Sequence, residues 1–188
     1  MAPTSSEVLA AARSLIEEQG IDALTIERLA TAAGTSRMTL HRRGIDRAWV
    51  VAALTDQAAA AYLSAAWPAL IAADSADVRL RQLFEAILEV ADEYLALLSG
   101  LFSAPDSPFH VVGDEHETDL VFVQPIERIL RDGELDGTLG SFDEPTDAAA
   151  ALFNVIGWGY VHLRHAQRWD AERSRHAVLG LLERAVRP

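Results

Sequence analysis

Residues 25–49, TIERLATAAGTSRMTLHRRGIDRAW, constrain the fold more than any other stretch of this chain. Ile26, Leu29, Ala30 and Ala33 keep one apolar face through two helical turns, and Thr25 stands where a side-chain oxygen can cap the first N–H groups. Gly34 supplies the left-handed residue that ends a helix without steric penalty, and Ser36 can cap a second helix. In that second helix only Leu40 is strongly core-like, while Arg37, Thr39, His41, Arg42 and Arg43 remain to face outward. A helix with so little to bury is kept for the surface it presents. The small residues Ala30, Ala33 and Gly34 let the two helices cross closely, which a helix-turn-helix requires.

The polar second helix of such a pair is the one laid in a DNA major groove. The wider segment 8–54, VLAAARSLIEEQGIDALTIERLATAAGTSRMTLHRRGIDRAWVVAAL, resembles the N-terminal domain of the tetracycline-repressor (TetR) family. The features that carry the resemblance are AAR followed by EQG, the run T-I-x-x-L-A-x-x-A-G-x-S-x-x-T-L, and an arginine opening the next helix. The chain departs from the family pattern at Arg43, Gly44 and Ile45, where an aromatic pair and then Pro or Lys is usual. A physical substitute is available: Gly44 just past the helix end, Ile45 packing back as its hydrophobic partner, and Asp46 capping the next helix. The resemblance implies an all-α homodimer that binds palindromic operator DNA, most often as a repressor, and answers to a small molecule. On that reading Arg37, Met38, Thr39, Arg42 and Arg43 enter the groove. Thr25, His41 and Arg47 meet phosphate, which fixes register without reading sequence.

A net charge of −12 argues against a generic nucleic-acid binder, so where the charge sits matters. Residues 1–57 hold six arginines against seven acids, for −1, and residues 58–188 hold ten against twenty-one, for −11. Residues 35–47 reverse the sign locally, with Arg37, Arg42, Arg43 and Arg47 against Asp46 alone. That is the footprint expected when one small surface meets phosphate. All sixteen basic residues are arginine, which with the alanine richness reads as coding bias.

With no cysteine, disulfides, thiolate metal sites and cysteine nucleophiles are excluded together. No apolar run approaches the ~18–20 residues that span a bilayer, and the N-terminus lacks a basic stretch before an apolar one. The expectation is a cytoplasmic globular protein. Its 188 residues suffice for two small domains, with the boundary near Gln57: a helix-turn-helix domain over 1–57 and a helical regulatory and dimerisation domain over 58–188.

Periodicity predicts helices throughout. The first follows the capping box Thr4-Ser5-Ser6-Glu7 and stops at Gly20. A long alanine-rich helix follows Asp46 through Val50, Leu54, Ala58 and Leu63 towards Trp67, where Pro68 disturbs or ends it. Another spans 77–99 and breaks at Ser99-Gly100, a surface loop occupies 103–118, and helix resumes over 119–131 with Pro125 near its middle or marking a fresh start. Pro145 opens a long helix through Trp169, and Asp170 caps a final helix to Val186 with Val178, Leu179, Leu182 and Val186 on one face. These last two helices suit a symmetric four-helix dimer interface, the alternative being that their faces close the monomer's own core.

Phe84, Leu88, Tyr94, Phe102, Phe122 and Trp158 are candidates to line a pocket for a small, mostly apolar effector, although aromatics at helical spacing are more often core. His162 and His165, one turn apart, with Asp170 and His176 nearby, make a weak metal pattern that interface histidines satisfy as well. No G-x-S-x-G, phosphate loop, dinucleotide fingerprint or H-E-x-x-H is present, and no cofactor or catalytic constellation is expected. The competing reading is a helical small-molecule-binding or interaction protein whose DNA-binding domain has decayed.

Overall fold

The computed structural model describes residues 3–103 and 117–188, and these are helical, with no strand among them. They form two compact units, bounded as Met1–Ala59 with Ala96–His110 and Ala60–Leu95 with Val111–Pro188. The loop expected over 103–118 lies almost wholly outside the described residues.

In the first unit, helix α1 (Ser5–Gln19) opens on the capping box: the Thr4 hydroxyl accepts from the Glu7 N–H at 3.2 Å, and the Glu7 carboxylate accepts from the Thr4 N–H at 2.6 Å. Val8, Ala12, Leu15 and Ile16 are its buried stripe. A single 3-10 turn, Ile21–Ala23, leads to α2 (Ile26–Ala32), then α3 (Arg37–Arg42) and α4 (Arg47–Ile71). The turns after α2 and α3 are built alike. Gly34 at φ +62° donates to the Thr31 carbonyl while Thr35 donates to that of Ala30. Gly44 at φ +68° donates to the His41 carbonyl while Ile45 donates to that of Leu40. Both are the paired-bond ending that requires a left-handed residue past the helix. Ile45 is buried, and the Asp46 carboxylate caps α4 by accepting from the Trp49 N–H at 2.7 Å. The departure at Arg43-Gly44-Ile45 therefore closes on its own local chemistry.

Helix α4 passes Pro68, expected to disturb or end it, and runs to Ile71. Only one backbone bond is forfeited, and Ala66 and Ala69 are buried on either side of the proline. Its buried positions are Val50, Leu54, Ala58, Tyr62, Ala66 and Ala69, so Tyr62 holds the place assigned to Leu63, which is exposed.

The expected helix over 77–99 is two, α5 (Ala76–Glu93) and α6 (Leu95–Ser103), parted at Tyr94 rather than at Ser99-Gly100. Gly100 lies inside α6, and a Cβ there would fall 2.3 Å from Ile21 Cγ2. The glycine permits a close approach within the first unit.

The second unit packs α5 against α7 (Glu117–Asp136), a continuous helical run of α8 (Pro145–Leu152), a π turn (Phe153–Trp158) and α9 (Gly159–His165), and α10 (Ala171–Ala185). Helix α7 is longer at both ends than the expected 119–131 and contains Pro125 and Gly133, the latter with no room for a Cβ against Leu139. The run from Pro145 ends at His165 rather than Trp169, where Arg168 takes φ +57°. Asp170 caps α10 by accepting from the Arg173 N–H at 2.8 Å. Val178, Leu179, Leu182 and Val186 are all buried within the protomer. They close its own core, so the stripe expected to face a second copy faces inward.

Asp92 on α5 ties this unit together. Its carboxylate accepts from Tyr160 Oη at 2.7 Å, Arg164 Nε at 2.8 Å and Arg175 Nη2 at 2.9 Å, joining α5 to α9 and α10. Burial alone would raise the Asp92 pKa, but Arg175, Tyr160 and Arg164 outweigh it and hold the carboxyl below its ordinary value. At the other end of α5, Asp136 accepts from the Ala76 N–H at 3.0 Å and serves as a cap from outside the helix.

Two stability outcomes follow. Gly44→Ala meets no neighbour within 4 Å, so its cost is the left-handed backbone alone, about 1–2 kcal/mol in urea unfolding. Asp92→Asn leaves two guanidinium groups short of their acceptor and should cost about 1–3 kcal/mol at neutral pH. Because the folded-state pKa of Asp92 is depressed, its contribution is fully present above the ordinary carboxylate pKa and is lost as pH falls through the lower folded value. The wild-type advantage over Asp92→Asn should therefore shrink in acid, as an unfolding series over pH will show.

Candidate nucleic-acid interface

The six residues of α3 are held by few contacts. Ser36 Oγ accepts from the Thr39 N–H at 3.1 Å, Leu40 is fully buried, and the turn at Gly44 closes the other end. Everything else on the helix faces out or to the side. Arg37, His41, Arg42 and Arg43 are exposed, Met38 is 72% exposed, and Thr39 is half-buried. Thr39 Oγ1 lies 2.9 Å from Ser36 Oγ, so part of its bonding capacity is used at the cap. Thr25 caps α2, accepting from the Arg28 N–H at 3.3 Å, and stays exposed, as does Arg47 at the start of α4.

The four arginines differ in what they do. Arg42 and Arg47 have no ion-pair partner among the described residues. Arg37 pairs with Glu27 of α2, Nη1 to Oε1 at 2.7 Å. Arg43 turns back, donating to the Pro3 carbonyl and, at 3.0 Å, to Ser5 Oγ, so it fastens the end of α3 to the start of α1. The sequence groups all four as contact residues. Nothing in it marks the Arg43 tether, whose partners lie 40 and 38 positions away.

The pocket candidates are only partly brought together. Phe84 and Leu88 are fully buried on α5, Tyr94 is buried at the α5–α6 break, and Phe122 and Trp158 are half-buried; the Phe102 side chain lies outside the described residues. Phe122 stacks on Phe153 with centroids 5.1 Å apart and lies 4.8 Å from Tyr62, whose hydroxyl donates to the Phe122 carbonyl at 2.9 Å. Burial pushes the Tyr62 phenol upward, so it stays a neutral donor. Tyr62 and Phe153 are not among the sequence candidates, although the four-residue spacing Val50, Leu54, Ala58 points directly to Tyr62. A separate recess of about 290 Å³ is lined by Val78, Leu80, Leu139, Leu182 and Val186 with Arg81 and Glu183, and none of the six candidates borders it. His162, His165 and His176 are exposed, and no three metal-binding side chains converge among the described residues. Nor is any helix there long and apolar enough to cross a membrane.

Residues 8–43 match the family model described as bacterial regulatory proteins, tetR family. No curated protein matches the chain. Solved structures do match over nearly its whole length. SmeT, the repressor of the Stenotrophomonas maltophilia multidrug efflux pump SmeDEF, is similar at TM-score 0.73 and 16% identity, covering 98% of this chain and 91% of its own. The SmeT–triclosan complex is similar at 0.70 and 16%, covering 97% and 91%. PfmR, a TetR family transcriptional regulator from Thermus thermophilus, is similar at 0.69 and 22%, covering 94% and 97%. At these identities the structures establish the fold, and residues 8–43, with the glycine-ended turn at Gly34 and the exposed arginine helix, are similar to the tetR family of bacterial regulatory proteins.

Proposed function

We propose that this chain is a ligand-responsive repressor that binds a palindromic operator as a homodimer in the cytoplasm, residues 1–57 reading DNA and residues 58–188 carrying the dimer contact and the effector site. The observation that carries the reading is α3, a helix with one buried side chain and an outward surface of Arg37, Met38, His41 and Arg42. A binding or interaction protein with a decayed DNA domain would have no need of the fully bonded turn at Gly44 or the cap at Asp46. Arg42 then reads a base edge, and Arg47, one helix on, neutralises a phosphate. Arg43 acts from behind, setting the attitude of α3 through Pro3 and Ser5.

The dimer contact is assigned to the outward face of the C-terminal helices. Val155 is 55% and Leu181 44% exposed, on the π turn and α10, which pack against each other. Ala151, Ala177 and Gly180 are small neighbours that let a second backbone approach. A mostly apolar effector fits the surroundings of Phe84, Leu88, Tyr94, Phe122 and Trp158, joined by Tyr62 and Phe153. SmeT, of similar fold, has been solved with triclosan. Effector binding lowers operator affinity by tilting α4, which runs between the two parts of the chain, and by linkage operator lowers effector affinity by the same factor.

Two measurements test this. On fragments selected from the source genome, Arg42→Ala should cost ~1–3 kcal/mol on cognate DNA and relax preference at one base pair. Arg47→Ala should weaken all sequences alike and flatten the salt dependence; indistinguishable effects would end the division of roles. In ultracentrifugation, Leu181→Arg should give a folded monomer, because Leu181 is already exposed in the protomer, whereas Leu179→Arg should unfold the chain. A folded Leu181→Arg dimer would move the interface elsewhere.

A further inference from the structure

We propose that Glu27 is a specificity-determining residue that positions Arg37, an inference that rests on the DNA-binding reading above. Of the four arginines in residues 35–47, Arg37 alone is paired with a carboxylate among the described residues, with Arg42 and Arg47 unpaired there and Arg43 bound to Pro3 and Ser5. Glu27 lies in the first turn of α2, and Arg37 is the first residue of α3, so the 2.7 Å pair bridges the two helices on their outer side. Its side chains are 67% exposed at Arg37 and 56% at Glu27, leaving both open to an arriving polyanion.

An ion pair this exposed adds little to folding. Its effect is on competition. A backbone phosphate that takes Arg37 must displace the carboxylate and then sit beside an uncompensated negative charge. A guanine edge asks only for N–H groups, and a guanidinium with five of them keeps donors free while Nη1 stays on Glu27. Glu27 thus penalises sequence-independent use of Arg37 and leaves its base-reading use intact. Arg37 is a held reader rather than a phosphate clamp.

The test is a double-mutant cycle on the full chain with Glu27→Gln, Arg37→Ala and the pair, titrated over a potassium chloride series. The probes are a random-sequence duplex and a fragment that the wild type selects from the source genome. Glu27→Gln should bind the random duplex more tightly, by up to about fivefold per half-site, the strength of an exposed pair. It should also steepen the slope of log affinity against log salt by about 0.9 per half-site, and lower the ratio of specific to random binding. With Arg37 already alanine, that gain should vanish. A gain of equal size without Arg37, or an unchanged slope in Glu27→Gln, overturns the positioning role while DNA binding stands. A wild type that selects no fragment and binds no duplex overturns the DNA-binding reading and this inference with it.

Discussion

The burial of one leucine governs the first unit. Leu40 is the sole fully buried side chain of α3, and a helix of six residues is too short to hold itself by backbone bonding alone. Its stability is therefore borrowed from what surrounds it: the Ser36 cap, the bonded turn at Gly44, the burial of Ile45 and the Arg43 tether to α1. None of these uses the outer face. Anchoring from one side and from both ends frees Arg37, Met38, His41 and Arg42 from any structural duty, and only such residues can vary with the DNA they meet.

The second unit is held on a different principle. Its helices share a broad apolar core, with Phe84, Leu88, Ile126, Ile129 and Tyr160 among the fully buried side chains. Hydrophobic burial is non-directional and does not by itself fix which residues of neighbouring helices meet. Asp92 does, because a carboxylate with three donors from α9 and α10 tolerates one register only. Asp136 plays the same part between α7 and the start of α5.

What is legible in the sequence is local. The capping box at Thr4 and Glu7, the glycine turns, the caps at Thr25, Ser36, Asp46 and Asp170, and the burial of Ile45 behind Gly44 all follow from residues within a turn of one another. Expectation and structure part where distant residues decide. Gly100 looks like a helix breaker until Ile21 arrives beside it, and Pro68 looks like a disturbance or an end until buried alanines hold the last turn. The stripe Val178, Leu179 and Leu182 is visible, but not what covers it, since an apolar face carries no label for its partner. Glu27 carries no signal of its own in the sequence, because its significance depends on Arg37, across a turn.

The π turn between α8 and α9 has a consequence for how relatives align. One residue more than a regular helix allows is accommodated in Phe153–Trp158. Resolving it into plain α-helix would advance everything after it by one position, a rotation of about 100° and a slide of about 1.5 Å. Tyr160 and Arg164 would then leave Asp92, so the carboxylate works as a detent that keeps the helical screw from turning. A protein of this fold lacking that extra residue needs a different latch at the position of Asp92, and the two should appear or disappear together.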